Sequence, residues 1–186
     1  MNNIKSVNNN FANIISIIPL LIIIYYSLNL IYTIILHSFG FKTNNLLQKF
    51  KNIFGIVCVT STIQLFKYII PYPKNWHNIT MRPNGACDCD YLSSKGVVIN
   101  KCGMPSGHMG TTSFFAVSNI IFLINNIKNN KQNKSSVFYY TILICLNLGL
   151  IITMGWARII KLCHNLPQVI LGTFYGTIIS YFFFNI

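Results

Sequence analysis

An all-α bundle of about five membrane-spanning helices is the fold class that this sequence predicts, and three observations predict it. The 186 residues are 53% hydrophobic and only 9% charged, with a mean hydropathy of +0.52, too apolar for an ordinary water-soluble domain. Three stretches, Phe11 to Leu36, Ser135 to Ala157 and Asn165 to Ile186, carry no charged residue, and each reaches the roughly 20 residues needed to cross a bilayer. None of them alternates as a barrel strand does, and backbone in lipid must satisfy its own hydrogen bonds, which leaves the helix.

Taken in order, the first span is Phe11 to Leu36. Its apolar run exceeds a signal-peptide core, and no small-residue cleavage site follows, so it reads as a retained anchor. The second, Ile53 to Ile70, carries Lys67 near its end, where a lysine can snorkel to the headgroups. The third, Met109 to Ile127, is diluted by Thr, Ser and Asn. Ser135 to Ala157 and Asn165 to Ile186 complete the five. No internal repeat and no soluble remainder is visible, so one membrane-embedded domain is expected over residues 1–186 of a multi-pass integral membrane protein.

Five spans place the loop from Pro71 to Gly107 and the loop from Arg158 to Asn165 on one face, and Gly40 to Asn52 and Lys128 to Lys134 on the other. The formal net charge of +12 does not point to nucleic acid, because the 14 lysines and arginines are scattered through short loops rather than gathered in a stripe. Membrane lipid, and a phosphorylated lipid or other phosphoester, are the expected partners. The first face holds Lys5, Lys67, Lys74, Arg82, Lys95, Lys101, Arg158 and Lys161; the second holds Lys42, Lys49, Lys51, Lys128, Lys131 and Lys134. A raw positive-inside count would put the first face in the cytoplasm, but several of its cations have chemistry to do. A lumenal or extracytoplasmic first face is therefore expected.

Three motifs converge on that face: Arg82-Pro83 preceded by lysines, Pro105-Ser106-Gly107-His108, and Ala157-Arg158 followed after five residues by His164. Arginine grips two oxygens of a phosphate at once, so Arg82 and Arg158 suit a clamp on one phosphoryl group. If Pro105 opens the third helix, the amides of Ser106, Gly107 and His108 point at an anion. Ser106 adds a hydroxyl donor and His108 suits a general acid. His164, three residues before Pro167, stands at a helix start that disfavours its protonated form, as a nucleophile at phosphorus requires. Such a reaction needs no metal and no other cofactor.

Lysine…Arg-Pro, PSGH and R-x5-H in this order resemble the phosphatidic acid phosphatase type 2 superfamily, over a motif core of about residues 67–168. The resemblance implies an all-helical membrane fold and metal-independent phosphoester hydrolysis. It also implies His164 as nucleophile, His108 as acid, and a phosphate cradle of a lysine, Arg82, Ser106, Gly107 and Arg158. Lys67 closes an apolar helix as the family's lysine does, whereas Lys74 has the better spacing, and both stand as candidates. Ala157 takes the place of a serine.

The larger departure is Gln168, where the family has an aspartate. Four residues after His164 on a helix, Gln168 can accept a hydrogen bond from the imidazole and orient it, but it carries no charge. In a serine-protease triad the same exchange costs roughly 10⁴ in kcat, so slow turnover, or a catalytically impaired lipid-binding relative, is the alternative expectation. Asp88 and Asp90, the only carboxylate side chains, are the other source of charge for His164.

The simpler readings stay beside these. Arg158 next to Trp156 also fits a membrane-edge anchor. Cys87, Cys89, Cys102 and Cys163 share the first face, where one or two disulfides pinning the Arg82 to His108 loop are expected in an oxidising compartment. Cys58 and Cys145 read as packing residues, and Lys49 as a solvated loop charge.

Overall fold

The computed structural model describes residues 10–39, 46–69, 76–86, 89, 102–129 and 134–185. Among them lie six helices: α1 (Asn10–Ser38), α2 (Leu46–Ile69), α3 (His77–Thr80), α4 (Gly107–Asn129), α5 (Lys134–Ile160) and α6 (Leu166–Asn185). All but the short α3 are long and apolar enough to cross a membrane, in agreement with the five expected spans. The helix of the second span begins at Leu46 rather than Ile53, which takes in Lys49. That lysine is not a loop charge: its Nζ donates to Thr33 Oγ1 of α1 at 2.6 Å.

The third span, diluted by Thr, Ser and Asn in sequence, is the centre of the bundle. Helix α4 packs most extensively on α6 and α5, and also on α2 and α1. Of its most apolar stretch 56% is buried, against 6% for α5, which explains the difference in composition. A helix enclosed by protein need not offer hydrocarbon to lipid, so Thr111, Thr112, Ser113 and Ser118 face neighbours. Helix α5 instead turns Phe138, Ile142, Leu146 and Ile152 outward. Cys145 on α5 is exposed too, so it lies on the outer surface rather than packing, while Cys58 is partly buried.

Two apolar clusters hold the helices around α4. Met109 joins Ala12, Ile15, Met154, Ala157 and Val169 at one end. Phe114 joins Ile22, Tyr26, Ile56, Val59 and Ile63 further along. Ala157 thus packs in an apolar cluster, where a serine hydroxyl would want a partner.

The α4–α6 contact is a contact of backbones. Gly172 and Gly176, one turn apart, form the G-x-x-x-G pattern of closely approaching membrane helices. A Cβ at Gly176 would strike the carbonyl oxygen of Gly110, and one at Gly172 would stand 2.5 Å from that of Ser106. This approach seats the start of α4 against the start of α6, and so brings two of the three motifs together.

Candidate active site

Helix α4 begins at Gly107, and the amide of Gly110 donates to the Ser106 carbonyl at 3.0 Å, which makes Ser106 the N-cap. Pro105 therefore precedes the helix instead of opening it. The expected ring of three amides is also changed, because the Ser106 amide donates to the Gln168 carbonyl at 3.1 Å. Its hydroxyl is buried and has no hydrogen-bond partner among the described residues. Position 107 has room for a side chain, since a Cβ there would meet only Ile63 Cγ2 at 3.9 Å.

The third motif is shaped by the end of α5. Leu162 takes a left-handed conformation (φ 55°) that turns the chain back, and the Arg158 carbonyl accepts from the amides of Cys163 at 3.1 Å and His164 at 3.3 Å. Arg158 itself is fully buried while Trp156 is exposed, so of the two only Trp156 lies at the molecular surface. Arg158 Nη2 donates to the Cys89 carbonyl at 2.7 Å and Nη1 to Ser16 Oγ at 3.4 Å.

Asn165 and Gln168 form a capping box at the start of α6. The Asn165 Oδ1 accepts from the Gln168 amide at 3.2 Å, and the Gln168 Oε1 accepts from the Asn165 amide at 3.3 Å. The same Oε1 lies 3.0 Å from His164 Nδ1. On its other side, Gln168 Nε2 donates to the carbonyls of Ile79 at 2.9 Å and Met81 at 2.7 Å. One backbone donor and two backbone acceptors thus fix which end of the amide is which. Oε1 can only accept, so the His164 proton sits on Nδ1 and the lone pair on Nε2.

These bonds draw the first motif to the same point, because Arg82 follows Met81 directly. The Asn165 side chain adds donations to the carbonyls of Asn78 at 3.1 Å and Ile79 at 3.0 Å. Met81 pairs with Cys102 in an isolated antiparallel bridge, and the Gly103 amide donates to the Thr80 carbonyl at 2.9 Å. Gly103 is needed there: a Cβ would stand 2.5 Å from Gln168 Oε1 and 2.9 Å from Arg82 Cγ. After Pro83 the chain reverses through Gly85 (φ 85°), with the Ala86 amide donating to the Pro83 carbonyl at 3.1 Å.

His164 is 2% exposed. Burial, then the charges of Arg158, Arg82 and Lys67, hold its pKa well below the usual 6.5, with the Gln168 hydrogen bond acting in the opposite direction. His108, also buried, lies within Coulombic reach of Arg158, His164, Arg82 and Lys67. The charge of Lys67, at the end of α2, thus bears on both imidazoles, whereas Lys74 lies outside the described residues, as do Asp88 and Asp90. A disulfide joins Cys89 to Cys163, linking the segment after Arg82 to the residue before His164. Cys102 remains a thiol and donates to the Thr80 carbonyl at 3.5 Å, and Cys87 lies outside the described residues.

Gly103, Asn165 and Ser16 were not among the residues expected from sequence. Asn165-x-x-Gln168 is a legible capping box, but the need for glycine at 103 and for a serine on α1 arises only from packing.

Comparison with curated proteins and with solved structures gives no significant match. A family model, that of the PAP2 superfamily, matches residues 28–186, and all three motifs fall within it. With the two histidines, two arginines and Lys67 gathered at one end of a helical membrane bundle, the chain belongs to the PAP2 superfamily, whose members are typically phosphatases acting on phosphoesters.

Proposed function

We propose that this protein is a membrane phosphatase that hydrolyses a phosphomonoester, foremost a lipid phosphate such as phosphatidic acid, through a phosphohistidine. The observation that carries the reading is the Gln168 amide, whose backbone partners leave the His164 Nε2 lone pair available among three cationic side chains. Nε2 attacks phosphorus in line with the departing oxygen; the N–P bond forms as the P–O bond breaks. His108 gives its proton to that oxygen, then takes one from the water that attacks phosphorus and breaks the P–N bond. Inorganic phosphate leaves and both imidazoles return to their starting states.

Arg82, Arg158 and Lys67 balance the charge on the phosphoryl oxygens, with the Ser106 hydroxyl and the Gly107 amide as further donors. The room at position 107 suits an oxygen approaching the backbone. With three cationic side chains to balance the phosphoryl charge, the proposed mechanism calls for no metal. Helix mouths at one end of the bundle suit a substrate that diffuses within the bilayer. The Cys89–Cys163 disulfide favours an oxidising compartment, and so a lumenal or extracytoplasmic site.

The test is release of phosphate from phosphatidic acid by the detergent-purified protein, with and without chelator. Equal release in both, abolished in His164→Ala, is expected; loss with chelator would overturn the metal-free mechanism. A second reading, a lipid-phosphate binder with impaired catalysis, rests on the neutral Gln168 beside His164. Saturable binding of phosphatidic acid without release of phosphate would favour it.

A further inference from the structure

Arg158 is the largest fully buried side chain among the described residues, and its guanidinium reaches Ser16 and Cys89, which the three motifs do not include. Nη1 meets Ser16 Oγ, on α1, ahead of the matched family segment. The Ser16 hydroxyl donates to the Ala12 carbonyl at 2.8 Å, so it turns a lone pair toward the guanidinium. Nη2 meets the carbonyl of Cys89, whose sulfur is bonded to Cys163, and the Cys163 amide donates back to the Arg158 carbonyl. Arg158 side chain, Cys89 carbonyl, disulfide and Cys163 amide thus close a ring on Arg158 itself.

Arginine carries much rotamer freedom, and a guanidinium already held in place loses less of it on gripping an anion. We infer that Ser16 and the disulfide-held carbonyl of Cys89 are positioning residues for Arg158, which makes α1 a working part of the anion site. This rests on the proposed role of Arg158 as a phosphoryl clamp. Helix α1 then has two tasks: its apolar residues fill the bundle, and one hydroxyl aims a cation held in the last turn of α5. The disulfide also anchors the turn that carries His164, because Cys163 precedes it in the chain.

Inorganic phosphate titrated calorimetrically into the full chain in detergent reads the clamp without turnover, and p-nitrophenyl phosphate separates KM from kcat. Ser16→Ala should weaken phosphate binding and raise KM by about three- to tenfold, within the range for an ordinary hydrogen bond, with kcat kept. Cys89→Ser/Cys163→Ser should weaken binding at least as much. Ser38→Ala, which removes an exposed hydroxyl at the far end of α1, should leave both unchanged. Phosphate affinity in Ser16→Ala within about twofold of the native chain overturns the inference. A native chain that binds phosphate without hydrolysing any ester overturns the phosphatase reading alone. Hydrolysis by a native chain whose Ser16→Ala variant binds phosphate equally well overturns this inference alone, and a native chain that binds no phosphate overturns both.

Discussion

A single amide decides the state of the histidine at the centre of this site. Gln168 is fully buried and uses both its N–H groups on backbone carbonyls, which an aspartate or glutamate, once ionised, has no means to do. Gln168→Glu should therefore destabilise the protein by at least about 2 kcal/mol, through two orphaned carbonyls facing a carboxylate, as measured by thermal unfolding in detergent. Gln168→Asp should lower phosphatase activity as well; a large gain would mean that the native chain is catalytically impaired. His164 supplies a second residue-scale prediction. Its folded pKa lies below 6.5, so at acid pH the unfolded chain binds the proton first, and the contribution to stability present above pH 6.5 is lost as pH falls below it. The groups facing it are Arg158, Arg82, Lys67 and His108, and His164→Ala should flatten the unfolding midpoint against pH in that range.

Between α4 and α6, glycine takes the place that side chains hold elsewhere in the bundle. Gly172→Ala puts a methyl against the Ser106 backbone and should cost about 1–3 kcal/mol in stability, with lower phosphatase activity because Ser106 caps the helix that carries His108. Gly149→Ala is the control: nothing lies within 4 Å of a Cβ there, and alanine in a helix interior should be neutral or stabilising by up to about 1 kcal/mol. Equal effects of the two substitutions in a thermal melt would refute the close α4–α6 contact. The same contact explains why a span diluted by polar residues is the best buried of the five: polar hydroxyls and glycines are what a central helix in lipid uses to pack, and they lower its apparent hydropathy.

Across the whole molecule, the Cys89–Cys163 disulfide and the odd number of candidate spans make the proposed orientation testable. The Cys89–Cys163 bond closes a separation of 74 residues and should contribute about 4 kcal/mol by chain entropy, so the double serine variant should unfold well below the native chain. Its formation agrees with a lumenal or extracytoplasmic site face. Five spans would put Asn78-Ile79-Thr80 on the site face and Asn133-Lys134-Ser135 on the other, so with a lumenal site face, as proposed, a glycosylating cell should modify Asn78 alone, with Asn78→Gln removing the shift. A glycan on Asn133 alone would reverse the orientation, and one on both would break the five-span topology.

Composition and the length of uncharged runs determined the helical membrane fold, because the cost of unsatisfied backbone in lipid acts on every residue alike. Motif spacing and span parity together determined that Arg82, His108, Arg158 and His164 share one face. What only the tertiary structure decided is how they are held. The amide that sets the His164 tautomer does so through carbonyls distant in the chain, Arg158 is aimed by a serine and a carbonyl from elsewhere, and Gly103 is required by a neighbour rather than by its own turn. Such contacts are made across the fold, and no local pattern of residues encodes them.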